Sequence, residues 1–173
     1  MVLKIFESTN LRFSENKIEN AFSKHKKFGY STGFFHGSNN GTMGFKSFLM
    51  QTGIDHYFGI DEYPTTDKDF DGNWGIWDEP FLQFFARKLD AFPEPFQSTL
   101  LSVSSHEPFV VPATYKGKFP KGDHPIREVT GYTDYALRKF FASIQNKPWF
   151  KRTLFVITAD HASLTHDPIY QTA

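Results

Sequence analysis

The strongest constraint on the fold is an alternation between short apolar runs and helical apolar spacing. "YSTGFFHG" (30–37), "HYFGI" (56–60), "STLLSVSSH" (98–106) and "RTLFVITA" (152–159) carry the β-branched and aromatic residues of strands. Between them, Ile18, Ala21 and Phe22 recur at helical spacing from Ser14 to Lys27, with Gly29 as a stop. Met43, Phe45, Phe48, Leu49 and Met50 predict a short helix closed by Gly53. Phe81, Leu82, Phe85 and Leu89 form a stripe behind Asp78, which reads as a helix cap, with Pro93 as terminator. A last helix, over 130–147, places Leu137, Phe141 and Ile144 on one face before Pro148 breaks it. Near-continuous apolar strands alternating with helices are the pattern of a parallel sheet covered on both faces. The prediction is one α/β domain over residues 1–173, a mostly parallel sheet with helices on both sides.

Composition narrows the function classes. Lys plus Arg equals Asp plus Glu at 19 each, with no long run of one sign, so the basic footprint of a nucleic-acid binder is missing. Cysteine is absent, which removes disulfides, thiolate metal sites and cysteine nucleophiles together. No stretch approaches the roughly 20 apolar residues of a membrane-spanning helix, and "MVLKIFESTN" lacks a signal-peptide core. The chain as given reads as soluble.

Three of the strand candidates end in polar clusters. His36 is followed by Gly37, Asn39 and Asn40, amide donors suited to an oxyanion, although a surface histidine in an Asn-Gly turn has the same sequence. His106 sits in "SVSSHEPF", open to reading as a general acid, an anion contact or a strand-end residue. The run 154–157 is expected to bury a rigid strand from which Asp160 and His161 emerge, a carboxylate oxygen and an imidazole nitrogen able to bind one divalent cation. Asp160 capping a turn is the plainer alternative. In open parallel sheets, ligands bind at the carboxyl ends of strands, so His36, His106, Asp160 and His161 are expected to converge on one edge. Ser104 or Ser105 beside His106 lacks the G-x-S-x-G elbow of a serine hydrolase. His25, His56, His124 and His166 read as surface residues, with His166 a distant metal candidate. The segment 61–79, rich in Asp, Gly and Pro, reads as an ordered loop pinned by Trp74 and Trp77.

Taken together, "GYSTGFFHGSNNGTMGF", "SSHEPFVVP", "GYTDYALRKFF" and "TLFVITADHAS" resemble the sulfatase-like branch of the alkaline phosphatase superfamily, and most nearly catalytic domains of the lipoteichoic acid synthase type. The resemblance spans most of residues 29–163. It implies a metal-dependent phosphoryl or sulfuryl transferase or hydrolase, usually with manganese, acting on phosphate or sulfate esters, some of them lipid-linked. In such enzymes a threonine attacks and a covalent intermediate passes to an acceptor or water. By the same resemblance Asp160 and His161 match the late metal-ligand pair, and His36 and His106 match histidines that contact the substrate head group.

The sequence also departs from that pattern. The nucleophilic threonine and a further acidic ligand belong upstream of "FFHG", and residues 1–28 do not match that motif; Thr9 in "FESTN" is not in it. Where the resemblance places a tryptophan and an arginine that hold phosphoglycerol, this chain has Met43 and Phe45. The expectation is a partial catalytic domain, incomplete at both ends and inactive alone. The full-length protein is expected at the extracytoplasmic face of a bacterial membrane, held by preceding helices. The rival expectation is a noncatalytic binding or interaction module that keeps the fold.

Overall fold

The computed structural model describes residues 19–64 and 67–161. Asn20 opens the first helix, α1 (Ala21–Lys26), through a capping box: its side chain accepts the Ser23 N–H while the Ser23 hydroxyl oxygen accepts the Asn20 N–H. The chain leaves α1 through Gly29 at φ +80°, a conformation that costs glycine little. Residues 14–18 of the expected helix, like Thr9 and His166, lie outside the described residues.

Strand β1 (Ser31–His36) is the centre of a three-stranded parallel sheet of order β2-β1-β3, with β2 at His56–Phe58 and β3 at Phe96–Leu101. Gly33 aligns with His56 on one side and Ser98 on the other, and His36 aligns with Leu101. Successive strand residues point to opposite faces, so Phe34 and Phe35 seed two separate cores. Phe34 joins Phe22 of α1 and Phe45, Phe48 and Leu49 of α2 (Phe45–Gln51). Phe35, fully buried, meets α3 (Asp78–Leu89) and α4 (Ile126–Ile144) through Phe81, Phe85, Ala136, Phe140 and Ile144. Its ring lies 4.5 Å from that of Phe58 and 4.6 Å from that of Phe85. Helices therefore cover both faces, as the apolar strands require. No helix among the described residues is long and apolar enough to cross a membrane.

Three details differ from expectation. Trp77, not Asp78, is the N-cap of α3; Asp78 occupies the first turn, and its carboxylate is drawn to the backbone after β3. The buried face of α4 runs through Val129, Tyr132, Ala136, Phe140 and Ile144, with Leu137 and Phe141 only flanking it. Tyr132 and Ala136 extend that stripe over a helix that starts at Ile126. Thirdly, residues 153–159 form no strand. The chain returns from α4 beside the start of β3, where Arg152 pairs with Glu94 at 2.6 Å and Trp149 packs edge-on to Phe96. Beyond that point Thr153 and Phe155 are half-buried, Phe155 against Phe141 and Phe150, while Leu154, Val156 and Ile157 remain 87%, 77% and 67% exposed. An apolar run forms a buried strand only where a partner edge and a covering layer meet it, and the described residues bring neither to 154–157.

Two substitutions separate these environments. Phe35→Ala should cost about 3–5 kcal/mol of unfolding free energy, since a fully buried ring is replaced by a cavity. Leu154→Ser should change stability by less than about 0.5 kcal/mol, as exposed positions do. Urea denaturation of both variants checks the contrast, and a cost for Leu154→Ser comparable to that of Phe35→Ala would mean that 154–157 is packed after all.

Candidate functional site at the carboxyl edge of the sheet

After β1 the chain turns to the Phe34 face through α2, and after β3 to the Phe35 face through α4. The two connections diverge between adjacent parallel strands, so a crevice opens at their carboxyl ends. His36 closes β1 there, and His106 lies in the turn after β3. The structure thus brings these two residues to one edge of one strand pair. They share no hydrogen bond or ring contact; a third loop joins them.

That loop is the turn 71–77. The Asp71 carboxylate accepts the N–H groups of Asn73, Trp74 and Gly75 at 2.7, 2.7 and 3.0 Å. Gly75 bridges Ser38, and Ile76 N–H donates to the Gly37 carbonyl at 2.9 Å. A Cβ on Gly75 would stand 2.3 Å from that carbonyl oxygen, so no other residue allows this approach. Ser38 donates its hydroxyl to the Trp74 carbonyl at 2.5 Å. On the other side the Trp74 indole N–H donates to the Glu107 carbonyl at 2.5 Å, and its ring lies 4.0 Å, centroid to centroid, from the exposed His106 ring. The expectation that Trp74 pins the 61–79 loop holds, and Trp77 packs edge-on against Tyr132.

His36 is only 5% exposed, packed edge-on against Phe45 at 5.2 Å. Its Nδ1 lies 3.1 Å from the Leu101 carbonyl, which can only accept, so Nδ1 carries the proton and Nε2 is an acceptor. Burial lowers its pKa below the ordinary histidine value, and the Leu101 hydrogen bond offsets this only in part. His36 is therefore a neutral acceptor at pH 7. Asn40 behaves differently from expectation, whereas Asn39 keeps its amide donors. Asn39 Oδ1 accepts the Gly41 N–H, and the Asn40 amide donates to both oxygens of Glu62, at 3.0 and 2.9 Å. Burial pushes the Glu62 carboxyl up, but hydrogen bonds from Asn40, Gly59 N–H and Lys46 together hold it below its usual range. Asn40 thus braces the loop, with its donors committed within the protein.

The turn that carries His106 is set by Asp78. Its carboxylate, 3% exposed, accepts the N–H groups of Val103 and Ser104 at 3.0 and 3.2 Å and the Thr133 hydroxyl at 3.1 Å, while the Ser104 hydroxyl accepts the Asp78 N–H at 2.9 Å. Burial raises the Asp78 pKa, and the hydrogen bonds reduce that rise without cancelling it. The sequence pattern pointed to a helix cap; a carboxylate bonded across 25 and 26 residues leaves no local signal.

Asp160 and His161 are exposed at the end of the unpaired segment. Asp160 Oδ1 accepts the His161 N–H at 3.0 Å, and Oδ2 lies 3.6 Å from Nε2. The donor types suit a divalent cation, but a stable site takes three or four, and among the described residues no group of three or more such side chains comes together. The described residues alone do not make a metal site. Of the remaining histidines, His56 is exposed, whereas His124 is half-buried, accepting the Ile126 N–H and packing edge-on to Phe109. A separate cleft of about 570 Å³, walled by Trp77, Arg87, Tyr115 and Tyr132, includes none of the four expected site residues.

A family model described as sulfatase matches residues 14–171. A lipoteichoic acid synthase-like protein of Bacillus subtilis, YvgJ, is 26% identical over 158 residues, covering 88% of this chain and 25% of that one. Phosphoglycerol transferase I of Salmonella arizonae is 27% identical over 150 residues, covering 82% and 20%. A protein in the alkaline phosphatase superfamily from Vibrio parahaemolyticus superposes with a TM-score of 0.65 at 26% identity over 79% of this chain and 34% of its own. The lipoteichoic acid synthase LtaP from Listeria monocytogenes gives 0.65 at 19% identity over 78% and 35%, a likeness of fold. The chain spans a quarter or less of the length of these curated relatives.

The buried His36 makes stability depend on pH. Because its folded pKa lies below the reference of 6.5, folding opposes protonation: the contribution is complete above about pH 6.5 and is lost as pH falls toward the folded value. His36→Asn keeps a donor for the Leu101 carbonyl but does not titrate. Urea midpoints at pH 7.5 and 5.5 should fall more in the parent chain than in His36→Asn; equal falls would place His36 in water.

Proposed function

The chain belongs to the sulfatase family, and from that premise we propose that it forms part of a metal-dependent hydrolase or phosphoryl transferase acting on phosphate or sulfate esters, phosphoglycerol among them. The observation that carries this reading is the joining of the His36 and His106 loops across the β1–β3 crevice by the 71–77 turn. The relatives' names, a lipoteichoic acid synthase-like protein and a phosphoglycerol transferase, support a phosphate ester of a polyol. His36, a neutral acceptor, fits a hydroxyl group of the ester's organic part, because an ester oxyanion has no hydrogen to offer. His106, exposed at the rim, has Nδ1 3.2 Å from the Glu107 carbonyl, so Nε2 is the nitrogen left to meet the anionic group, as a donor in the imidazolium form. Asp160 and His161 contribute two ligands to a divalent cation, manganese by resemblance, with the remaining ligands outside the described residues. The cation would neutralise charge on the transferred group. The nucleophile is a threonine outside the described residues, and the whole protein works at the outer face of a bacterial membrane on a lipid-linked ester.

Two measurements test this. Phosphate and sulfate esters titrated into the chain should shift the imidazole signals of His36 and His106 together and spare His25 and His56; shifts spread over all histidines would remove the shared site. Assayed with manganese on nitrophenyl phosphate and nitrophenyl sulfate, the chain should show no turnover, since binding groups without a positioned nucleophile form no covalent intermediate. Robust turnover that disappears in His161→Ala would require a nucleophile within residues 1–173.

A further inference from the structure

Trp74 is a large aromatic residue held between the two histidine loops and yet left 38% exposed. Its backbone is fixed by three separate devices: the Asp71 carboxylate on its N–H, the Ser38 hydroxyl on its carbonyl, and the Ser38–Gly75 bridge beside it. Its indole N–H is committed to the Glu107 carbonyl, so what it presents outward is apolar ring. A flat, pre-ordered ring open to water gains nothing for folding from its exposed part, but it offers a stacking surface whose ordering cost is already met.

We propose that the Trp74 indole and the His106 imidazole beside it form a subsite for the carbon skeleton of a phosphorylated or sulfated polyol or sugar. The C–H face of the skeleton lies on the indole, the anionic group lies at His106, and a hydroxyl group points toward His36. Trp74 is then a specificity-determining residue: it favours esters of hydroxylated carbon chains over the bare anion. This rests on the ester-binding reading above.

The test uses the 173-residue chain, with the three indole N–H signals followed by NMR during titration with glycerol phosphate, glucose 6-phosphate and inorganic phosphate. Both esters should shift the Trp74 indole and His106, whereas inorganic phosphate should shift His106 alone. Trp74→Phe, which keeps a flat ring, should retain the preference for ester over phosphate. Trp74→Leu, which keeps apolar bulk without the ring, should reduce it roughly five-fold. Equal preference in the Phe and Leu variants, or esters that leave the Trp74 signal unmoved while shifting His106, would overturn the subsite. If no ligand moves His106, the ester-binding reading itself fails, and the subsite falls with it.

Discussion

The structure depends on one placement: two adjacent phenylalanines in the central strand, pointing to opposite faces. Phe34 gathers α1 and α2, and Phe35 gathers α3 and α4, so neither layer exists without β1 held between β2 and β3. The same placement decides where chemistry can occur. With one layer reached from β1 and the other from β3, the connections part at the carboxyl end of that strand pair. His36 is the last residue of β1, and it is buried there because Phe45, on the helix that β1 leads into, closes over it.

The second constraint is a buried carboxylate. Taking Asp78 out of water disfavours its charge and raises its pKa, and the hydrogen bonds to its carboxylate reduce that rise without cancelling it. Packing therefore does not explain its position; the turn does. Without the carboxylate, the Val103 and Ser104 N–H groups would face the interior unpaired, at about 1–3 kcal/mol each. Asp78 links the segment that carries His106 to the first turn of α3 and, through Thr133, to α4.

Much of this was legible in the sequence because it is local or periodic. "YSTGFFHG" gave both the strand and the histidine at its end, and the Phe81–Leu82–Phe85–Leu89 stripe placed α3. What escaped was either long-range or dependent on a partner. Asp78 resembles a helix cap, since the N–H groups it accepts lie 25 and 26 residues on. Asn40 resembles an anion donor until Glu62, 22 residues away, claims its amide. The run 154–157 reads as a buried strand from its composition, but burial belongs to the neighbours as much as to the residues. His36 and His106 stood out at their strand ends, their substrate role coming only from the resemblance, and Trp74 as the pin of an Asp- and Gly-rich loop. That this loop joins the two histidine segments did not show, because Ser38 and Glu107 lie 36 and 33 residues from Trp74.

The two sides of the crevice differ in burial and in the hydrogen-bonding groups they present. On the β1 side, Asn40 is committed to Glu62, Asn39 Oδ1 is engaged by the Gly41 N–H, and His36 is neutral with an acceptor nitrogen. His36 does not attract an anion, because a phosphate or sulfate oxygen approaching its Nε2 would set lone pair against lone pair; of these groups only the exposed Asn39 keeps amide donors. On the β3 side, His106 is exposed, with Nδ1 3.2 Å from the Glu107 carbonyl, which also accepts the Trp74 indole N–H. On the proposed reading, negative charge is met at the exposed His106 and hydroxyl groups at the buried His36. A ligand that used both sides as proposed would have an anionic end, a hydroxylated end and a carbon chain long enough to pass over Trp74, as a polyol ester has and a free anion has not.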